Sequence, residues 1–397
     1  MAKRINSVWM LAPQNTIGLL FFGQLVLWLL FFPEVSSVEN GEPKVWNILS
    51  ILFFCAVTLI IVAGALIGQI SVKANSSPSQ LKPKTYYRFA IGCLLLSTAA
   101  TLYKFQPILN DPSMLLLFLQ PSGANMVYVA VSESDFGVAS LQTLWIIPAV
   151  ILSFLLYSGA HKKLKLFKLY YVLLVLDVLS VAAINSNRIA VINFMLVSAV
   201  TYVYLKKPRL RVSRVAFAIL MVLAVYWIGS LMRDGLVFAD ENNLSLFDSE
   251  VFLYIFKVFL EKYSVGELNN AFVIMEYVAD AKNFAYATMF QRYFPADAPL
   301  RNINTLNVIG IWYWQFGFLL VLPFALGFGL IVGALYKKSM YPANDLNIGA
   351  LKVIYVLCFV GFFNILRVNY FFLQMFLVPF LLACLFFASS VLLNLRR

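Results

Sequence analysis

The stretch "INSNRIAVINF" (184–194) decides how this chain is read. It sets a permanent guanidinium, Arg188, in a turn of a few residues between two apolar runs, 168–186 and 188–205. Each run is close to the roughly 20 apolar residues that cross a bilayer. Two such runs joined by so short a turn are the mark of a chain that crosses a membrane serially. An arginine near hydrocarbon costs a few kcal/mol on insertion scales, so Arg188 calls for something to hold.

Composition makes the same argument for the whole chain. Of 397 residues, 62% are apolar and only 12% are charged, and mean hydropathy is +0.84. Soluble proteins are about half apolar and about a quarter charged, and no soluble core would absorb this excess. The expected class is an all-α polytopic membrane protein. The first apolar run ends in "FFPEV" rather than a small-residue cleavage site, so it reads as a retained span. Cys55, Cys93, Cys358 and Cys384 all fall in apolar runs without CxxC spacing, which makes them packing residues.

Ten spans are predicted, at 14–33, 45–70, 87–109, 138–158, 168–186, 188–205, 213–232, 307–335, 349–367 and 370–393. The segment 111–123, "DPSMLLLFLQPSG", is apolar but too short to cross. Lys and Arg accumulate in cytoplasmic loops. With the N-terminus inside, the inner segments hold 20 of the 30 basic residues, and Asp345 is the one acid in those loops. The +12 net charge thus has a membrane explanation and does not point to nucleic acid. Both termini are expected to be cytoplasmic. Three parts follow: an N-terminal membrane bundle of about seven spans (1–232), a large extracytoplasmic loop (233–306) and a C-terminal membrane bundle of about three spans (307–397).

The outer loop has 74 residues, and structureless loops beyond about 15 residues are uncommon. Helices are predicted at "SEVFLYIFKVFLEKY" (249–263) and "GELNNAFVIMEYVADA" (266–281), the second with a stripe of Leu268, Phe272, Met275 and Val278–Ala279. They are expected to lie on the outer membrane surface as a lid.

Arg188 has company at that face. Arg233 opens the large loop in "GSLMRDG", and Arg367 lies between the last two spans in "NILRVNYF". A single arginine near a helix end snorkels to the headgroups. Three at one level, against the general inward bias of basic residues, read as an anion site. Arginine keeps its charge and grips phosphate oxygens through a planar fork. Arg292 and Arg301 in the loop are further members or ordinary surface residues. Asp234 stands next to Arg233. Asp177, within the span "VLLVLDVLSV", is a functional carboxylate, an ion pair or a neutral buried acid. The single histidine, His161, falls on the cytoplasmic side, and no metal-ligand cluster or nucleotide-binding signature is present, so metal-independent chemistry without a cofactor is expected.

Four features resemble the Wzy-type repeat-unit polymerases of bacterial O-antigen, capsule and exopolysaccharide synthesis. They are the "NSNR" turn into a span, the "GSLMRDG" span end that opens one large outer loop, "NINTLNVIGIWYWQFGFLLVLPFALGFGLIVGALYKK" (302–338), and an arginine between the final two spans. The resemblance covers roughly 180–370, and Gln315 stands before Phe316–Gly317 where the family commonly has an acid. It implies a glycosyltransferase of the bacterial inner membrane, with its active site facing the periplasm or exterior. A growing glycan would pass from undecaprenyl diphosphate onto a second lipid-linked oligosaccharide, with a chain-length regulator as a partner. In that role Arg188, Arg233, Arg367 and Asp234 would be catalytic, and Arg292, Tyr293, Arg301, Asn304 and Thr305 would bind substrate. Asp234, Glu267 and Asp280 are the alternatives for a carboxylate that takes the acceptor's proton. O-antigen ligase and a lipid-linked oligosaccharide flippase or transporter are the rival readings. The ligase family looks to an outer histidine and transporters to internal repeats, and neither feature is seen.

Overall fold

The computed structural model describes residues 4–31, 47–73, 82–117, 138, 141–184, 189–231, 235–260, 266–277, 307–340, 349–366 and 374–395. The chain opens with β1 (Arg4–Asn6), α1 (Ser7–Leu11), α2 (Pro13–Phe31), α3 (Ile48–Ser71), α4 (Pro83–Lys104), α5 (Gln106–Asn110) and α6 (Met114–Leu117). A 3₁₀ turn at Thr143–Trp145 leads into α7 (Ile146–Ser158), followed by α8 (Phe167–Ile184), α9 (Ile189–Lys206), β2 (Arg209–Arg211) and α10 (Val212–Ser230). The loop helices are α11 (Leu236–Glu241), α12 (Ser249–Leu260) and α13 (Gly266–Tyr277); then come α14 (Val308–Ser339), α15 (Ala350–Asn364) and α16 (Gln374–Leu395).

Each of the ten predicted apolar segments carries a helix. The four helices Pro13–Leu30, Ile48–Ser71, Ile189–Lys206 and Val308–Ser339 are long and apolar enough to cross a membrane. The architecture is consistent with an all-α membrane protein, with one short addition. The backbones of β1 and β2 pair antiparallel, Arg4 opposite Arg211 and Asn6 opposite Arg209. Helix ends follow local chemistry. The Asn47 side chain caps α3 by accepting from the Leu49 N–H at 2.8 Å, and Pro83 starts α4. Gly159, at φ +80°, ends α7 in the left-handed conformation.

Side-chain contacts give each helix a direction. Gly64 and Gly68 of α3 meet Leu326 and Leu330 of α14, so these two run parallel. Tyr87 and Ser97 of α4 meet Phe167 and Asp177 of α8, also parallel. Asn193 and Tyr204 of α9 meet Asn364 and Tyr355 of α15 in reverse order, so these are antiparallel. Tyr157 near the end of α7 meets Tyr202 near the end of α9, and Tyr86 near the start of α4 meets Phe387 toward the end of α16. Gly18 and Phe21 of α2 meet Val62 and Phe54 of α3 in reverse order. Ser97 in the later half of α4 meets Gln142 at the entry of α7, and Tyr336 near the end of α14 meets Tyr355 near the start of α15. Helices α2, α4, α8 and α15 therefore run one way, and α3, α7, α9, α14 and α16 the other. Apart from α10, which these contacts do not orient, this is the alternation of a chain that crosses back and forth. One end gathers Lys82, Lys84, Arg88, Lys162, Lys163, Lys165, Lys168, Lys206, Lys207, Lys337, Lys338 and Lys352. This is the basic end of the bundle.

The tightest packing is the crossing of α3 and α14. A Cβ on Gly64 would come within 2.7 Å of the Leu326 carbonyl oxygen. At Gly68, Gly329 and Gly333 it would collide with the carbonyls of Leu330, Ile61 and Ala65. Spacing of four on both helices brings backbone onto backbone.

The predicted span 307–335 is not one straight rod. Gly317 has φ 68° and ψ 175° inside α14, a conformation that suits glycine alone. The Trp312 ring lies 5.0 Å from Phe324 and 5.4 Å from Phe328, and Phe316 lies 4.5 Å from Phe324. In a straight helix residues 12 and 16 apart would be separated by about 18 and 24 Å. The chain therefore folds back at Gly317, and the short arm before it packs against the long arm after it. The long arm, 318–339, is by itself the length of a span. Phe318, Leu319 and Leu320 are exposed at the tip.

Adding one methyl at Gly333 or Gly329 forces the α3–α14 backbones apart. Gly333→Ala is expected to lower stability by about 1–3 kcal/mol, seen as an earlier thermal unfolding transition of the detergent-solubilised protein. Gly92→Ala, where a Cβ meets nothing within 4 Å, should leave the transition in place.

Candidate functional site

At the end of the bundle opposite the basic end, amide side chains from five helices are buried in apolar surroundings. They are Gln24 (α2), Asn193 (α9), Asn269 and Asn270 (α13), Asn307 (just before α14) and Asn364 (α15). A buried amide without partners costs about 1–3 kcal/mol, so the bonds among these residues fix the local geometry.

Asn307 is the centre of the set and is wholly inaccessible to solvent. Its Oδ1 accepts from the Ile309 N–H at 2.9 Å and caps the short arm of α14. Its Nδ2 donates to Gln24 Oε1 at 2.6 Å. Gln24 Nε2 in turn lies 3.5 Å from the Leu366 carbonyl oxygen, and the Val308 N–H donates to the Ile365 carbonyl at 3.0 Å. Asn364 Nδ2 donates to Asn193 Oδ1 at 3.2 Å and to the Val360 carbonyl at 2.9 Å. The start of the re-entrant arm, the end of α15, the upper part of α2 and the start of α9 are thus bonded into one layer. Non-helical backbone at membrane depth is tolerated where protein encloses it, and the amide layer does that here.

Helix α13 closes this layer from the loop side. It packs against α2, α3 and α14. Leu268, Phe272 and Met275 of the predicted stripe are buried, as are Asn269 and Asn270; Val278 and Ala279 lie outside the described residues. The Phe272 ring sits 5.0 Å from Trp28 and 6.0 Å from Phe54. This loop helix is therefore inserted against the bundle rather than laid over it. Helix α12 behaves differently. With α11 and the end of α10 it forms a separate apolar cluster around Ala239, Val251 and Ile255. The Trp227 and Phe252 rings stack at 4.6 Å, and Phe247, Phe252, Leu253 and Phe256 are exposed. A membrane-surface position suits α12 and not α13.

The site residues named from sequence, Arg188, Arg233, Asp234, Arg292, Tyr293, Arg301, Asn304, Thr305 and Arg367, lie outside the described residues, as does Asp280. Glu267 belongs to α13 by its backbone. What the structure does describe are the flanks. Ile189 begins α9 directly after Arg188, and Leu366, two residues past the end of α15, directly precedes Arg367. The Asn193–Asn364 bond joins those two helices near these ends. Leu231 and Gly235, on either side of Arg233 and Asp234, belong to the α10–α12 region, where a Cβ on Gly235 would meet Leu231, Val251 and Ile255.

Sequence reasoning passed over Gln24, Asn193, Asn307 and Asn364. A signal was present: Gln24 interrupts "LLFFGQLVLWLL", and Asn193 stands in the opening stretch itself, five residues after Arg188. Removing Asn307 strips α14 of its cap and Gln24 of a partner. Asn307→Ala is expected to cost about 1–3 kcal/mol. Combined with Gln24→Ala, the pair should cost less than the sum of the two single changes, read as unfolding transitions of the four variants in a double-mutant cycle. Strict additivity would mean that the two side chains do not act together.

No protein-family model, curated protein or solved structure matches the chain.

Proposed function

We propose that this chain is a polysaccharide polymerase of the bacterial cytoplasmic membrane, with its active site at the outer face. It transfers a growing glycan from undecaprenyl diphosphate onto a lipid-linked oligosaccharide repeat unit. The observation that carries this reading is the joining of α9 and α15 through Asn193 and Asn364, at the end of the bundle away from the lysines. The chain segments that carry Arg188 and Arg367 leave those two helices at that end. Two arginines whose chain neighbours, Ile189 and Leu366, flank one polar layer suit a diphosphate, which offers several anionic oxygens.

The chemistry follows from the charge. The acceptor hydroxyl oxygen attacks the anomeric carbon of the donor glycan, and the bond from that carbon to the diphosphate oxygen breaks. Negative charge grows on the leaving diphosphate. Arg188, Arg233 and Arg367 stabilise it there, with Arg292 and Arg301 in support, in surroundings where water is scarce and each fixed cation counts for more. Asp234, Glu267 or Asp280 takes the hydroxyl proton. Tyr293, Asn304 and Thr305 bind sugar. The activated donor drives the transfer, so the reading involves neither metal nor cofactor, and a chain-length regulator is the expected protein partner.

The orientation belongs to the same proposal: ten crossings, the basic end and both termini in the cytoplasm, and 233–306 outside. The alternating helix directions and the one-sided lysines support it.

Purified protein in detergent, supplied with lipid-linked repeat units, should lengthen glycan; a flippase would not, and a ligase would need a second acceptor lipid. Arg188→Ala, Arg233→Ala and Arg367→Ala should each lower the rate by about 10²-fold or more, with the Lys variants intermediate. Wild-type rates from all three alanine variants would overturn the clamp. A membrane-impermeant thiol reagent should label Ser245→Cys in intact spheroplasts and Lys163→Cys only after permeabilisation.

A further inference from the structure

A second buried polar site lies on helices that the amide layer does not use. Asp177 of α8 is 3% exposed and forms no ion pair among the described residues. Ser97 of α4, fully buried, is its neighbour. The Ser97 Oγ is 2.7 Å from Asp177 Oδ2 and 2.9 Å from the carbonyl oxygen of Gln142, which precedes the 3₁₀ turn into α7. Both distances are those of ordinary two-centre O–H···O bonds. A serine hydroxyl, however, has one proton. It serves one acceptor, so the other short contact needs its proton from elsewhere. A backbone carbonyl has none to give. A carboxyl group does, once protonated.

The rest of the pocket agrees. The Thr101 hydroxyl is close enough to the same carboxyl group to interact with it, although neither Asp177 Oδ1 nor Thr101 Oγ1 reaches full hydrogen-bond geometry with a partner among the described residues. A carboxylate ion in such a place would leave a full charge unmatched, whereas a neutral acid leaves one weak acceptor. Among the described residues of the elements packed on α8, Lys104 of α4 is buried and one turn beyond Thr101, and Cys93 of α4 is buried one turn before Ser97. Lys84 and Arg88 of α4, Tyr157 of α7, and Tyr202, Tyr204 and Lys206 of α9 lie toward the basic end, and the 3₁₀ turn Thr143–Trp145 has no titratable side chain. Ser97, Thr101 and Lys104 follow helical spacing, so one face of α4 carries polar groups from Asp177 up to the end away from the basic end.

We propose that Asp177 is a proton-binding site. Its carboxyl is neutral at rest and donates to Ser97 Oγ, while the Ser97 hydroxyl donates to the Gln142 carbonyl. Its proton exchanges toward the outer end along the α4 face of Ser97, Thr101 and Lys104. The bonded chain ties α8 through α4 to the entry of α7. Losing the proton removes the first bond and puts a charge among three apolar helices, so the proton controls how these helices hold together.

The test uses the full chain in lipid nanodiscs. Difference infrared spectra should contain a protonated-carboxyl stretch at neutral pH that is absent from Asp177→Asn and disappears in alkaline buffer. Asparagine has an N–H where the neutral acid has its O–H. Asp177→Asn should therefore unfold within about 1 °C of wild type, while Asp177→Ala and Ser97→Ala should unfold about 2 °C earlier or more. An Asp177→Asn protein as unstable as Asp177→Ala would overturn the proposal, because a required negative charge would then be the better account. So would a carboxyl band that appears only when sodium is withheld, which would make the site one for a monovalent cation.

Discussion

The crossing of α3 over the long arm of α14 holds the bundle in register. Lipid tails are as apolar as leucine, so burial from water does not drive two helices together inside a membrane; close packing does. Gly64 and Gly68 against Gly329 and Gly333 let the two backbones touch over two turns. The residues joined are more than 250 positions apart in sequence, and they tie the opening spans to the closing ones. Side chains from both parts, among them Trp28, Phe54, Phe154, Trp312 and Phe362, then share one apolar core. Because α3 and α14 are parallel, the chain between them must include an even number of reversals. That constraint fits the directions of α4, α7, α8 and α9, each fixed by its own contacts.

Helix positions were legible in the sequence for a plain physical reason. Backbone N–H and C=O groups in hydrocarbon have only each other to bond, so a long apolar run becomes a helix whatever its neighbours do. The lysine distribution likewise anticipates which helix ends lie together. The reversal at Gly317 was not legible. Hydropathy registers only that "VIGIWYWQFGFLLVLPFALGFGLIV" is apolar throughout, and a sharp turn between two apolar arms leaves no polar trace. The trace it did leave is the Phe316–Gly317 pair amid aromatics. Trp312 and Phe316 stack on Phe324 only because a glycine allows the chain to double back.

The site divides in the same way. Arg188, Arg233 and Arg367 stand out in sequence because a guanidinium near lipid is costly enough to demand a reason. Gln24, Asn193, Asn307 and Asn364 do not, because one amide barely dents the hydropathy of a 20-residue run. Their meaning appears only when helices distant in sequence bring donor to acceptor, as Asn307 does with Gln24 across 283 positions. Helix α13 shows a similar limit. A stripe of Leu268, Phe272 and Met275 says that one face is buried, but not whether lipid headgroups or protein bury it. The Trp28 and Phe54 rings decide for protein.

The two buried polar sets use different helices. The amides bond α2, α9, α14 and α15 together, while Asp177 and Ser97 join α8, α4 and the entry to α7. The bonds described for one set do not include a member of the other, and packing offers a route for a change in one to reach the other. One route is the direct contact of α8 with α9 at Tyr171 and Phe194, and another is the contact of α7 with α9, where Phe154 and Tyr157 meet Tyr204 and Tyr202. Closely packed aromatics transmit displacement because they leave little free volume to absorb it. Tyr204 also faces Tyr355 of α15, the helix whose far end carries Asn364. A shift of α7 that follows the loss of the Asp177 proton would thus act on the same two helices, α9 and α15, that the Asn193–Asn364 bond holds together at the end away from the lysines.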